Sequence, residues 1–134
     1  MEEIQTDEID ILEWRRNAPS DDWIKEVIDN IDWVLREPTS FGTARLFRAR
    51  AGKQEIGYAV VVASQIDAEL HLVKRRYEWY SRRVGDQLWY RIIKDIGVAT
   101  FTARGDSDDG RKALKRWGFV YDNETHYWTW RREQ

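Results

Sequence analysis

The chain has 134 residues and carries 22 Lys+Arg against 24 Asp+Glu, a formal net charge of −2. That length predicts one domain over residues 1–134, and the near-neutral balance argues against a globally basic nucleic-acid coat or a highly acidic disordered tail. Cysteine is absent, which excludes disulfides, thiolate metal sites and thiol nucleophiles.

The first ten residues are acidic and lack the apolar stretch of a signal peptide. No apolar run approaches the roughly 18 residues that span a bilayer, so no membrane partner and a cytoplasmic location are expected. A short helix is predicted over 7–16, with Ile9, Leu12 and Ile11 inward. Pro19 and Pro38 bracket a second helix, capped by Ser20, with Ile24, Val27, Ile28, Ile31 and Leu35 on one stripe.

After Pro38 the hydrophobic period shortens. Residues 43–50 and 55–65 read as a β-hairpin around Ala51-Gly52-Lys53-Gln54, and the apolar run 58–63 reads as a strand buried on both faces. A third strand is predicted over 68–73, then a basic–aromatic loop over 74–83. Val84, Leu88, Ile92 and Ile96 mark a helix that Gly97 ends. Strand 98–103 follows, then a helix capped at Ser107-Asp108-Asp109 and stopped by Gly118, then one or two strands around a turn at 122–124. The order α-α-β-β-β-α-β-α-β-β predicts an α/β domain, its central mixed, mostly antiparallel sheet flanked by helices.

The charge is unevenly spread. Residues 1–37 hold twelve acids and four bases, net −8, so residues 38–134 carry net +6. The steepest basic stretch is 74–83, with five bases against Glu78. A strand that feeds a helix through such a loop aims backbone N–H groups and the positive dipole end at whatever lies there. Arg75, Arg76, Arg82 and Arg83 surround that point, and guanidinium forks suit phosphate oxygens. A pyrophosphate-bearing ligand and a solvated charged loop are the two readings of this unit. The eight tryptophans read as core bulk. Two histidines without a carboxylate cluster predict no metal site, and the acids at 106–109 suit a helix cap better than a calcium loop.

In order and in residues, 20–130 resembles the GCN5-related N-acetyltransferase (GNAT) family, which binds acetyl-coenzyme A. Val73-Lys74-Arg75-Arg76-Tyr77 resembles the family's strand ending, with Arg75 where proline is usual. Gly85-Asp86-Gln87-Leu88 resembles the last glycine of the pyrophosphate turn and the start of its helix, and Arg83 stands where a glycine is usual. Lys115-Arg116-Trp117-Gly118-Phe119 is similar to the segment that opens the final strands. Leu114 occupies the place of the tyrosine that protonates the departing thiolate in many members. In that altered loop and that leucine the chain also resembles compact phage-encoded members of the fold.

The resemblance implies a GNAT-like fold and an acyl-CoA-dependent N-acyltransferase that uses acetyl-CoA as cosubstrate. Its acceptor would be an amine, on a small molecule or a basic protein, attacking the thioester directly. The implied cosubstrate contacts are Leu72, Val73, Arg75, Arg82, Arg83, Val84, Gly85 and Asp86, with backbone N–H groups at a bulge near Val73 facing the acetyl carbonyl. Glu69 resembles the strand glutamate that deprotonates the amine in some members, and alternation places it on one face with His71. Tyr121 is the proton donor chosen in place of the missing tyrosine, with Tyr77 and Tyr80 as alternatives.

Two other functions fit the same residues. One is a GNAT-fold binding or structural protein without catalysis. The other is a nucleic-acid binder that stacks bases on Tyr77, Trp79 and Tyr80, which the overall negative charge opposes. The aromatic end Tyr127-Trp128-Thr129-Trp130 reads as core or as the edge of a homodimer.

Overall fold

The structure is a computed structural model and describes residues 9–13, 43–52, 54–75 and 82–133. In chain order the elements are β1 (Ile9–Glu13), β2 (Thr43–Ala51), β3 (Gln54–Ala63), β4 (Asp67–Arg75), α1 (Arg82–Asp95), β5 (Thr100–Ala103), α2 (Asp108–Arg116), β6 (Val120–Tyr121) and β7 (Trp128–Arg131). The strands form one sheet in the order β1-β2-β3-β4-β5-β7-β6. Only the β4–β5 pair is parallel, so the sheet is mixed and mostly antiparallel, as the element order predicts. The helix expected between Pro19 and Pro38 lies outside the described residues.

One predicted element changes type. Residues 9–13 form an edge strand, not part of a helix, with Ile9 opposite Ala51 and Glu13 opposite Phe47. Burial follows a period of two, with Ile9 buried, Asp10 and Leu12 exposed, and Ile11 and Glu13 between. Arg45 of β2 holds the strand with a bidentate pair to Glu13, at 2.8 and 2.7 Å. That hydrogen bond, ahead of the charge attraction, raises the Arg45 pKa.

Strand β3 is buried on both sides. Ile56, Ala59 and Val61 join the core under α1, while Tyr58, Val60 and Val62 are buried without belonging to that cluster. Helix α1 lays Val84, Leu88 and Ile92 onto the first face, all fully buried and one turn apart. Trp89 sits at the centre of the aromatic part of this core. It stacks on Trp117 at 5.6 Å and meets Phe101, Phe119 and Trp130 at 5.2, 5.1 and 5.4 Å. The tryptophans described here act as core bulk.

Both helices are stopped by recognisable devices. Ser107 caps α2, its hydroxyl accepting from the Gly110 N–H at 3.0 Å, and Gly118 turns the chain with φ 96°. The end of α1 is closed from a distance. Arg132 donates from Nη2 to the carbonyls of Ile93 and Ile96 at 2.8 and 3.0 Å, and from Nε to Val98 at 3.1 Å. The first two are among the carbonyls a helix leaves without intrahelical partners, and a cation suits that end of the dipole. Arg132→Ala is expected to cost about 2 kcal/mol, since charge-assisted bonds to otherwise unsatisfied carbonyls disappear. Urea unfolding measures this, with Lys at 132 recovering only part of the loss.

Candidate functional site

The strands that define the site are the parallel pair. β4 and β5 pair from Asp67↔Thr100 to Leu70↔Ala103, where the ladder ends. β5 stops at Ala103, but β4 runs on to Arg75, an overhang of about 16 Å at strand rise. Among the described residues, the side of 71–75 that faces away from β3 has no strand partner. The sheet therefore splits, leaving an open edge of backbone donors and acceptors.

A bulge prepares the split. Val60 pairs with Leu72 and Val61 with Leu70, so His71 is an extra residue in β4. Bulges bend and twist a strand, and this one lies just where β5 leaves it. The resemblance implies a bulge near Val73, and the observed one is centred two residues earlier, at His71.

Helix α1 connects the parallel strands and returns antiparallel to them, so its N-terminus faces the open end of β4. The helix begins at Arg82, two residues before the predicted start, so Arg82 and Arg83 belong to its first turn. That turn holds no acidic residue. Two cations at the positive end of a helix dipole oppose it, and an anion bound there relieves both.

The remaining predicted contacts divide into backbone and side-chain cases. Val84 is fully buried in the core, so its side chain packs inward. A Cβ at Gly85 would lie 3.5 Å from the Trp117 ring, so this glycine sits beneath α2's last residues. The Asp86 carboxylate accepts from Trp117 Nε1 at 2.7 Å and Arg116 Nη2 at 2.8 Å, joining the two helices. The first N–H groups of α1 have no acceptor within the helix. Leu72, Val73 and Arg75 lie on the open stretch of β4.

Glu69 and His71 share a face, as alternation predicts, with His71 Nε2 3.6 Å from Glu69 Oε2. The register shows what else lies on that face. Leu70, Ala103, Trp128 and Tyr121 form one row across the sheet, and Leu70, Ala103 and Trp128 pack with the helical core. The neighbouring row, Glu69, Thr102, Thr129 and Val120, therefore faces the other way.

Tyr121 does not meet Glu69. It lies on β6, three strands from β4 or about 14 Å, on the opposite face. Its hydroxyl pairs with His126 Nδ1 at 3.1 Å. Tyr77 and Tyr80 lie outside the described residues.

Two residues that the sequence reading did not assign to the site lie near Glu69. Arg104 and Tyr127 directly adjoin Ala103↔Trp128, the last pair of the β5–β7 ladder. A hydrogen bond from Arg104 to the Tyr127 side chain, then the charges of Tyr127, Asp106 and Glu69, raise the guanidinium's pKa. Gly105 shapes this loop. At φ 69° it is left-handed, and a Cβ there would lie 2.7 Å from Trp128 Nε1. The turn after β6 is closed by Asp122, whose pKa is lowered first by the Glu124 N–H and then by Thr125. That contribution is present above the ordinary carboxylate range and lost as pH falls through the lowered value.

A mixed sheet split after a bulged strand, with a helix N-terminus over the gap, is the GNAT acetyltransferase fold. No protein-family model and no curated protein matches the sequence, whereas solved structures match the fold throughout. A GNAT family acetyltransferase from Elizabethkingia anophelis with acetyl-CoA bound superposes with a TM-score of 0.63 at 19% identity, covering 87% of this chain and 79% of that one. YhhK from E. coli, bound to coenzyme A, gives 0.62 at 18% identity over 92% of this chain and 98% of that one. A mutant AtaT toxin bound to the C-terminus of the antitoxin AtaR gives 0.69 at 10% identity over 92% and 93%.

Proposed function

We propose that this protein is an acyl-CoA-dependent N-acyltransferase that takes acetyl-CoA as cosubstrate and passes the acetyl group to an amine. The observation that carries the reading is the open edge of β4 at the split from β5, ending under the basic first turn of α1. An extended ligand arm with amide groups pairs with such an edge as an added strand would. A pyrophosphate at its far end suits the helix-end N–H groups of residues 82–85, with Arg75, Arg82 and Arg83 supplying charge. The acetyl-CoA and CoA held by the Elizabethkingia and E. coli proteins of the same fold support this reading.

The chemistry follows from what the chain has and lacks. Without cysteine there is no thiol to carry the acetyl group, so the amine attacks the thioester directly. An amine is mostly protonated near neutral pH and must first lose a proton. Glu69, about one-third exposed at the end of the paired segment, is the base, directly or through one water. The acceptor is a cationic amine on a small molecule or a basic protein, attracted by the acidic first third of the chain.

Glu69→Gln is expected to lower acetylation about a hundredfold, as loss of a general base does, while acetyl-CoA binding is kept. Thiol release from acetyl-CoA across an amine panel, read beside a calorimetric titration, measures both. Loss of binding together with turnover would place Glu69 in the fold and not in the chemistry.

A second reading, a GNAT-fold binding protein without catalysis, draws on Leu114. This residue is buried in the core and leaves no hydroxyl where the resemblance expects one. Tight CoA binding with no turnover on any amine, unchanged by Glu69→Gln, favours it.

A further inference from the structure

An anion held at the start of α1 has a carboxylate close by. Asp86 is the first acid of the helix, just past its first turn and about 6 Å along the axis from Arg82. Over such a distance a full negative charge repels a pyrophosphate and offsets part of what Arg82, Arg83 and the helix dipole contribute. The fold sets a cation on that carboxylate from another element. Arg116, the last residue of α2, donates from Nη2 and Nε to Asp86 Oδ1 at 2.8 and 3.3 Å. Trp117, directly after it, donates to the same oxygen from Nε1 at 2.7 Å.

We infer that Arg116 is a positioning residue for the cosubstrate: it holds the Asp86 carboxylate against α2 and offsets the charge that opposes the phosphates. This inference rests on the acyltransferase reading, which supplies the phosphates. Neither helix needs the pair for its own sake. An acid near the start of α1 and a cation in the last turn of α2 each suit their own dipole without the other. What the contact adds is local neutrality beside the anion. Its geometry is anchored in the core. The Arg116 guanidinium lies 5.9 Å from the centre of the Trp117 ring, which stacks on Trp89. The same ring lies beneath Gly85, where a Cβ would come within 3.5 Å of it.

The direction of each effect follows from charge. Asp86→Asn keeps an oxygen for Trp117 and Arg116 to bond, removes the negative charge and leaves that of Arg116 in place. CoA then binds about fivefold more tightly, the scale of one partly exposed charge. Arg116→Met takes a counter-charge away from the carboxylate and weakens CoA about fivefold. Joining the two substitutions restores the original local charge and brings affinity back to within about twofold of wild type. Arg116→Lys keeps the charge and stays near wild type, whereas Arg116→Gln keeps a donor without charge and follows Arg116→Met. A contact that only braces the two helices gives another pattern, in which Asp86→Asn weakens binding as Arg116→Met does.

The test is calorimetric titration of CoA into the whole chain and these variants, at about 50 mM and about 500 mM salt. The expected result is tighter binding for Asp86→Asn and weaker binding for Arg116→Met at low salt. Both differences narrow at high salt, because the Arg116 and Asp86 side chains are 33% and 30% exposed and their charges are screened. Where an Arg116 variant does not fold, Asp86→Asn carries the test by itself. Unchanged or weaker binding by Asp86→Asn overturns the inference and leaves the acyltransferase reading standing. So does an Arg116→Met deficit that Asp86→Asn does not repair, or one that persists at high salt. Wild-type protein that binds no CoA overturns that reading, and the inference with it.

Discussion

Trp89→Ala is expected to destabilise the protein by about 3–5 kcal/mol, a fall in Tm of roughly 12–20 °C. Trp89 is 3% exposed and touches four other rings, two of them edge-on within 5.2 and 5.4 Å. Truncation removes its transfer free energy and leaves a cavity between α1, β5, β7 and the segment after α2. Each aromatic pair adds about 0.5–1.5 kcal/mol beyond burial. The same ring rests on Trp117, which in turn bonds Asp86, just past the first turn of α1. Loss of Trp89 therefore loosens the helix end to which the proposed function assigns the cosubstrate. Trp89→Phe, which keeps a ring in place, is expected to recover more than half of the loss. A Trp89→Ala protein within 1 kcal/mol of wild type, as an order-of-magnitude bound, would contradict the packing account.

Glu55→Ala is the second large effect, at about 3–5 kcal/mol. Glu55 is 1% exposed on β3, and its Oε1 lies 2.9 Å from Arg48 Nη1 and 3.4 Å from Arg50 Nε. Arg48 is itself buried, so removing the carboxylate takes a counter-charge away from a cation in the interior. Removing both charges is a different experiment. Arg48→Met with Glu55→Met is expected to restore most of the stability, because apolar packing replaces the pair and no lone charge remains. A single Glu55→Ala as stable as wild type would show that the pair contributes nothing. Guanidinium unfolding of the three variants decides this.

Much of the fold was legible because its patterns are local. The unbroken apolar run 58–63 marks β3, the stripe Val84, Leu88, Ile92 marks α1, and Ser107 with two acids marks α2. Residues 9–13 misled because Ile9, Ile11 and Leu12 satisfy both a helical and an alternating pattern over five positions. Pairing with β2, thirty residues on, decided between them.

The site was legible only in part, for a related reason. Glu69 and His71 on one face follow from strand parity alone. Tyr121 is followed by a turn, and whether it faces the helices depends on the hairpin register. That register, Tyr121 opposite Trp128, puts it on the helical face, away from Glu69, and a slip of one residue would reverse it. Arg104 carries no motif of its own. It matters because β4, β5 and β7 converge there from distant parts of the chain.

The charge split also acquires a location. The net −2 combines an acidic first third with a basic remainder, and the structure sets Arg82 and Arg83 in the first turn of α1. Acetyl-CoA titrated into the protein by calorimetry, with a parallel thermal shift, tests the central claim most directly. The account predicts one saturable site per chain, weakened by Arg82→Ala/Arg83→Ala and more strongly at low salt. At a hundredfold excess over Kd, such binding stabilises the fold by about 2.7 kcal/mol. Absence of both heat and thermal shift at millimolar acetyl-CoA and CoA would contradict it.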